Sequence, residues 1–350
     1  MKASHFRHIL AAALLFAATG CAEEASEPGA RVTAADVSFL MPLGAGDAMM
    51  ASSLGGHGTL LPRSYTDLAE TLTRVDEPDD LYAALQVVAV RLDSCFSEGS
   101  PASPCASQVR LVFQPVFAEG GAPITRDASL HAFYEVPVTE LRLLAVALAE
   151  ARETANGSES VGVSSVPNAA VLLLTPHLGE ARLSRMTFMA VHASDEAWTF
   201  GGFDIAAGDA TTLAIPGTDD EQHVTSVGHV GPLEATILPE PTIEPDIIPY
   251  LVPPSRGALD DAQLSAAQAA LERLMSPADH NPGTVDCATC HVATTALRFV
   301  TSVSDPGRVS SVYDDTRNQR MFGWYGAEPS VSPRVLAETE GVLARLQSEL

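Results

Sequence analysis

Residues 86–92 read Gln-Val-Val-Ala-Val-Arg-Leu, a run with three valines and neither glycine nor proline. Such a run is typical of a β-strand, because β-branched side chains pack well on a pleated surface. Further runs predicted to form strands follow along the chain: Val109–Phe113, Leu130–Glu135, Ala170–Thr175, Met186–Val191, Trp198–Ile205 and Thr211–Ile215. Strands are therefore predicted to outnumber helices in this part of the chain.

One helix is predicted among these strands, over Glu140–Glu153. Its apolar side chains recur every three or four residues, which places them on one helical face. They are Leu141, Leu144, Ala145 and Leu148. Thr139 is the expected N-cap, since its hydroxyl can accept from the first turn. We expect residues 35–238 to form an α+β or β-sandwich-like domain, for which the sequence gives no chemistry.

Six prolines between residues 239 and 254 divide the chain. Proline lacks a backbone donor and has a fixed φ, so this stretch cannot form a regular helix or a central strand. We interpret residues 239–256 as a semi-rigid linker. Beyond it, two segments have helical spacing: one follows Asp260 and stops at Pro277, and the other opens with Ser332-Pro333. Residues 257–350 are therefore predicted to be a small all-α domain, and the whole chain α+β.

The N-terminus has the pattern of an export signal. Lys2 and Arg7 precede the apolar stretch Ile9–Ala18, which is too short to span a bilayer. A signal peptide over residues 1–20 would be removed on export. Residues 21–34 are then a polar tether.

Ala18-Thr19-Gly20-Cys21 resembles the lipobox of bacterial lipoproteins, although Ala18 replaces the usual Leu. The resemblance implies that Cys21 carries lipid and begins the mature chain. Ala22 is not the Asp that often retains lipoproteins at the inner membrane, so the resemblance favours the outer membrane. The alternative is an ordinary cleaved signal with a chance cysteine.

Cysteine usage fits an exported protein. Of the five cysteines, Cys95 and Cys105 flank nine residues rich in Ser, Pro and Gly, which indicates a loop. In an oxidising compartment they are expected to close a small disulfide; two free thiols are the alternative. The remaining pair is Cys287 and Cys290.

The chain is strongly acidic, with a formal net charge of −24 that becomes −26 once the signal and its two basic residues are removed. An acidic surface argues against nucleic acid and anionic lipid headgroups as partners. It would suit a basic partner, but the better interpretation is that the acidity keeps an exported protein soluble.

Cys287-Ala288-Thr289-Cys290-His291 is the sharpest chemical signal. Two thiols at this spacing can each form a thioether with one porphyrin, and the adjacent imidazole can coordinate its iron. Here the chain resembles c-type cytochromes, over the motif and its helical flanks. The resemblance implies one covalent haem c on Cys287, Cys290 and His291, in a cytochrome c-like C-terminal domain.

Three other interpretations of the motif remain. A thioredoxin-like pair normally follows a strand, whereas here Asn281-Pro282-Gly283 follows a predicted helix. A zinc site could add His280, but the adjacent Cys290 and His291 would struggle to bind one tetrahedral ion together. The third alternative is a plain Cys287–Cys290 disulfide.

The sequence does not determine the sixth iron ligand. By resemblance to small cytochromes, Met321 is the first candidate, although it lies only thirty residues beyond His291. Phe322 and Trp324 could pack on the porphyrin, and Gly323 could let the backbone approach. His280 is the rival and would give a lower potential; an open position is the third case. The other histidines are expected to be core or surface residues, His131 among them.

The resemblance implies a membrane-anchored, periplasmic or cell-surface mono-haem cytochrome. It would be an electron carrier rather than a substrate-converting enzyme, with an unidentified redox protein as partner. One alternative is a haem sensor or peroxidase-like enzyme with an open iron position. The other is a non-haem structural or binding lipoprotein with a Cys287–Cys290 disulfide.

Overall fold

The computed structural model describes residues 30–69, 81–96, 105–126, 128–192, 197–214, 224–227, 260–281, 284–300 and 322–349. The predicted signal peptide, Cys21, the proline-rich linker and Met321 lie outside these residues. The described strands are β1 (Ser38–Leu40), β2 (Leu54–Gly55), β3 (Gly58–Thr59), β4 (Leu85–Phe96), β5 (Ala106–Glu119), β6 (Ala122–Thr125), β7 (Ala128–Glu135), β8 (Leu183–His192), β9 (Ala197–Ala206), β10 (Asp209–Thr212), β11 (Val224–Val227), β12 (Phe322–Tyr325) and β13 (Glu328–Val331). The described α-helices are α1 (Ala34–Val37), α2 (Arg63–Leu68), α3 (Leu81–Ala84), α4 (Val138–Thr154), α5 (Pro167–Leu174), α6 (Asp261–Met275), α7 (Cys287–Val300) and α8 (Pro333–Glu349).

A large antiparallel sheet organises the described chain, and together with the helices it makes the protein α+β. Its strand order is β1-β4-β5-β7-β8-β9-β10, with β6 beside β5 and β11 also paired with β9. The predicted strands over Gln86–Leu92, Val109–Phe113, Leu130–Glu135, Met186–Val191 and Trp198–Ile205 all fall within it. Neighbouring β4, β5, β7, β8 and β9 pair antiparallel in sequence order. The connection from β7 to β8 is long and contains α4 and α5.

The first face of the sheet packs against α4. Successive strand residues point to opposite sides, so alternate positions form this face. They are apolar and buried, and include Val90, Leu111, Leu130, Phe188 and Phe203. From α4 the core receives the predicted apolar face, Leu141, Leu144, Ala145 and Leu148. The helix begins at Val138 after Pro137 as N-cap, so the expected cap at Thr139 is wrong.

The second face of the sheet carries the alternate positions and is chemically different. It mixes charged and aromatic side chains, among them Arg91, Arg110, His131, Met189 and Phe200. The elements α7, α8 and the β12–β13 hairpin supply side chains that pack with this face. Polar groups on this side are therefore enclosed between the sheet and the C-terminal part of the chain.

The prediction of a strand over Ala170–Thr175 is wrong. Residues 167–174 form α5, which has Pro167 in its first turn and continues into a 3-10 turn at Thr175–His177. A short apolar run does not distinguish a strand from a buried helix, and proline at the first turn is the stronger signal. For the predicted strand Thr211–Ile215, β10 ends at Thr212, and Ile215 lies outside the described residues.

The C-terminal part differs from the expected all-α segment. Its two predicted outer helices are present as α6 and α8, but β12 and β13 pair between them. The hairpin turn is Gly326-Ala327, and Gly326 has φ +61°, which suits a two-residue hairpin. Phe322 and Trp324 are buried in one cluster with Leu40, Val88, Val112 and Val335. The aromatic side chains thus pack the hairpin onto the sheet.

Helix α8 is also tied to the sheet. Ser332 caps it as predicted, its hydroxyl accepting from the Val335 N–H at 3.2 Å. The Thr339 hydroxyl donates to Ser38 Oγ at 2.7 Å, and Val342 and Leu346 enter the first-face core. The last helix is consequently part of the same packed body as the sheet.

The predicted Cys95–Cys105 disulfide is present and joins the ends of β4 and β5, with the two Cα atoms 4.8 Å apart. A bridge stabilises the fold mainly by restricting the unfolded chain, and it does so more strongly for longer loops. Here it closes a short connection between neighbouring antiparallel strands.

Replacing both Cys95 and Cys105 with Ala is expected to lower the free energy of unfolding by about 2–3 kcal/mol, the loop-entropy value for a closed segment of this length. Urea titration of the oxidised wild type and the double variant measures the difference. Reduced wild type should match the variant. Equal midpoints for oxidised wild type and variant would contradict a stabilising bridge.

Candidate functional site

The cysteine motif opens helix α7. Asp286 caps the helix: its Oδ2 accepts from the Thr289 N–H at 2.9 Å, and its carbonyl accepts from the Cys290 N–H at 3.1 Å. Burial raises the pKa of the Asp286 carboxyl. Positions three and four residues apart share a helical face, so Cys287, Cys290 and His291 lie together in the first turn.

The two thiols of the motif are not joined in a disulfide. Cys287 packs against Met189, Trp198 and Phe200, whereas Cys290 packs against the cluster that contains Val112 and Trp324. The motif therefore lies across the second face of the sheet, with one thiol toward β8 and β9 and the other toward β4 and β5.

Burial raises the pKa of the Cys287 thiol to about 12, with Asp286 adding to the effect, and it also raises the pKa of Cys290. Both groups are protonated at neutral pH in the folded chain. Because the thiolate is the nucleophile, the raised pKa values disfavour reaction of these cysteines at neutral pH.

His291 also faces the sheet. Its ring centroid lies 5.1 Å from that of Phe200, with the two planes inclined at 39°. This tilted contact is a favourable aromatic geometry. It places the imidazole above β9, on the side of α7 that also carries the thiols.

His131 lies on the sheet beneath this motif. Its register partners are Val112 on β5 and Thr187 on β8, both shorter side chains. Burial, then Arg110 and His291, lower the pKa of His131 well below its usual range, so the imidazole is neutral at pH 7. The sequence alone does not single out His131, because the motif histidine His291 lies 160 positions further along the chain. The one available signal was a histidine inside an alternating strand.

A buried charge cluster lies beside Cys290 and joins three elements. Glu338 of α8 accepts from Arg334 Nε at 2.9 Å and also bonds Arg91 of β4, whose guanidinium lies 3.3 Å from Asp93. Although burial opposes it, Arg91, Arg334 and Arg110 lower the pKa of Glu338 to about 2.

Arg110 completes that cluster, and its guanidinium stacks over Phe133 at 4.7 Å. Burial, together with the neighbouring Arg91, lowers the pKa of Arg110 to about 10. It remains charged at pH 7. With Arg91 and Arg334 paired to Asp93 and Glu338, the charged cluster next to the motif carries three arginines against two carboxylates.

His280 lies in the turn between α6 and α7 and is 2% exposed. Its Nδ1 lies 3.4 Å from Thr284 Oγ1, and its carbonyl accepts from Arg334 Nη2 at 2.8 Å. Among the described residues, no group of three or more His, Cys, Asp or Glu side chains is arranged to hold a metal ion. The described residues therefore do not support the alternative zinc site formed by His280 and the cysteine motif.

The segment after Met321 lies against the sheet near Cys290. Gly323 has φ +154°, and a Cβ there would lie 2.5 Å from Gln114 Oε1. That oxygen accepts from the Trp324 N–H at 2.7 Å, and Gln114 Nε2 donates to the Trp324 carbonyl at 3.0 Å. Because glycine has no Cβ, position 323 leaves room for the side-chain amide of Gln114.

Comparison with protein-family models, with curated proteins and with solved structures finds no match to this chain. No described helix is both long enough and apolar enough to cross a bilayer.

Proposed function

We propose that this protein is an exported, lipid-anchored carrier of one haem c, bound through Cys287, Cys290 and His291, and that it transfers electrons to or from another redox protein. The observation that carries the proposal is the first turn of α7. Two thiols without a disulfide and one imidazole share a helical face there, between aromatic side chains. When bound, the haem would supply one-electron redox chemistry.

The surroundings of the motif suit a porphyrin. Trp198 and Phe200 lie on the Cys287 side, and Phe322 and Trp324 lie on the Cys290 side, so aromatic surface is available at both edges. A porphyrin also carries carboxylates. The buried arginines beside Cys290, Arg110 and Arg334 among them, are suitable partners for negative charge.

Attachment of a haem would use both thiols of the motif. Each S–H adds across one vinyl double bond, the sulfur bonding one carbon and the proton the other, so that no oxidant is consumed. In the folded packing burial raises the pKa of both thiols, which disfavours the reactive thiolate. We infer that Cys287 and Cys290 react while the second face of the sheet is still open.

The finer organisation belongs to the same proposal. We take residues 257–350 as the cytochrome c-like unit, with α6 and α7 as its helices around the motif and the hairpin and α8 shared with the sheet. Lipid on Cys21 would hold the protein at the outer membrane. The acidic surface would favour a basic redox partner.

Expression with export and the haem-attachment machinery tests the proposal. We expect red protein whose pyridine haemochrome spectrum shows two thioethers and whose intact mass includes one haem. Cys287→Ala is expected to give a one-thioether spectrum, and Cys287→Ala with Cys290→Ala to retain no covalent haem. The Cys95→Ala/Cys105→Ala variant is the matched control and should stay red.

Two results would replace this proposal. Colourless protein with the mass of the unmodified chain would leave the non-haem lipoprotein as the better account. Red protein that binds CO rapidly without perturbation would favour the sensor or peroxidase-like alternative, because that chemistry needs an open iron position.

A further inference from the structure

The motif face of α7 is directed at the sheet. Cys287 and Cys290 contact different parts of the second face, and His291 contacts Phe200, whose strand β9 lies there between β8 and β11. Among the described elements, the one that the His291 imidazole faces is the sheet. A second side chain that could hold a haem iron together with His291 would therefore come from the second face.

His131 is placed to do so. It projects from the second face between Val112 and Thr187, and Val112 belongs to the cluster on which Cys290 packs. Its ring lies 6.5 Å from Phe133. None of the hydrogen bonds among the described residues involves a ring nitrogen of His131. The imidazole is partly buried, and a ring nitrogen without such a bond is available to a ligand.

We propose that His131 is the second axial ligand of the iron, opposite His291. This inference rests on the proposed haem function and goes beyond it by assigning the sixth position. A neutral imidazole presents the nitrogen lone pair that iron requires, and imidazole is a common iron ligand.

Other candidates fit this position less well. Met189 is on the same face but packs with Cys287, one of the two thiols that would bind the haem. The imidazole of His280 is engaged with Thr284 in the turn before α7. His131 differs from both in projecting from β7, the strand between β5, whose Val112 clusters with Cys290, and β8, whose Met189 clusters with Cys287.

Ferric and ferrous absorption and EPR spectra of the full-length, haem-loaded protein test the assignment. Wild type should be low-spin, and His131→Ala should lose the low-spin signals and gain rapid CO binding. Added imidazole should restore the low-spin spectrum of His131→Ala, which a merely structural role would not produce. His131→Met should show a thioether-to-iron band and a raised midpoint potential.

The controls separate the possible failures. His177 lies away from the motif, and its Nδ1 is 2.9 Å from Glu140 Oε2. The variant His177→Ala should therefore leave the spectra unchanged. Covalent haem with an unchanged spectrum in both His131→Ala and His131→Met would overturn this assignment while the haem function stands. Loss of the low-spin signals in Met321→Ala, His280→Ala or Met189→Ala, but not in His131→Ala, would also overturn this assignment. A high-spin wild type would overturn it as well. Wild type without covalent haem would refute the proposed function itself.

Discussion

Replacing Glu338 with Gln is expected to lower the free energy of unfolding by about 3–5 kcal/mol, the usual cost of breaking a buried ion pair from one side. Glu338 joins Arg334 on its own helix to Arg91 of β4. Arg334 in turn donates to the carbonyls of Leu274 and His280, at 2.6 and 2.8 Å. The amide keeps the shape but removes the charge, so α6, α8 and the sheet lose their shared electrostatic link.

Chemical denaturation followed by tryptophan fluorescence measures this loss. Glu340→Gln is the matched control, because Glu340 is an exposed residue of the same helix and its substitution should change stability by no more than about 0.5 kcal/mol. If Glu338→Gln and Glu340→Gln had the same midpoint as wild type, the cluster would contribute nothing to the docking of α8.

The difference in unfolding free energy between wild type and Glu338→Gln has a predictable dependence on pH. The folded pKa of Glu338 is lowered to about 2, below the unfolded value of about 4.3. Its ionised form therefore stabilises the fold fully above about pH 4.3, and this contribution is lost as the pH falls toward 2. The stability gap between wild type and Glu338→Gln should be constant from pH 7 to 5 and narrow at lower pH.

Replacing Asp36 with Asn should also cost about 3–5 kcal/mol, since it leaves the guanidinium of Arg152 buried without its carboxylate. The Asp36 and Arg152 side chains are 2% and 6% exposed, with Nε and Oδ1 2.9 Å apart. The Asp36 carboxylate also accepts from the Thr33 N–H at 2.8 Å, and Arg152 donates to the Arg31 carbonyl at 2.9 Å. This pair fixes the entry of the chain into α1 against α4.

Thermal and urea unfolding of Asp36→Asn test this result against Glu153→Gln. Glu153 lies 3.7 Å from the same guanidinium but is 46% exposed, so its substitution should cost no more than about 1 kcal/mol. Combining Asp36→Leu with Arg152→Met should recover much of the loss, because no unpaired charge stays buried. A double variant as unstable as Asp36→Asn would show that the pair matters through its hydrogen bonds to the backbone.

Sequence periodicity predicted the parts of the fold that depend on neighbours along the chain. The strands around Val90 and Leu130 and the helix around Leu144 follow from one apolar face each, and the disulfide from two cysteines flanking a loop. The strand predicted at Ala170–Thr175 failed, because an all-apolar run has no periodicity to interpret. The β12–β13 hairpin was missed, although two short runs around Gly326-Ala327 were the signal for it.

The candidate site likewise depends partly on local sequence and partly on tertiary structure. The spacing in Cys287–His291 determined by itself that two thiols and an imidazole share one helical turn, because helix geometry is local. Only the tertiary structure decided that this turn lies over Phe200, on the face of the sheet that also carries His131, and beside Arg110 and Glu338. Those contacts join residues that are far apart in the chain, and which side chains meet across the second face depends on strand register and on how the C-terminal helices pack. No local pattern encodes that packing.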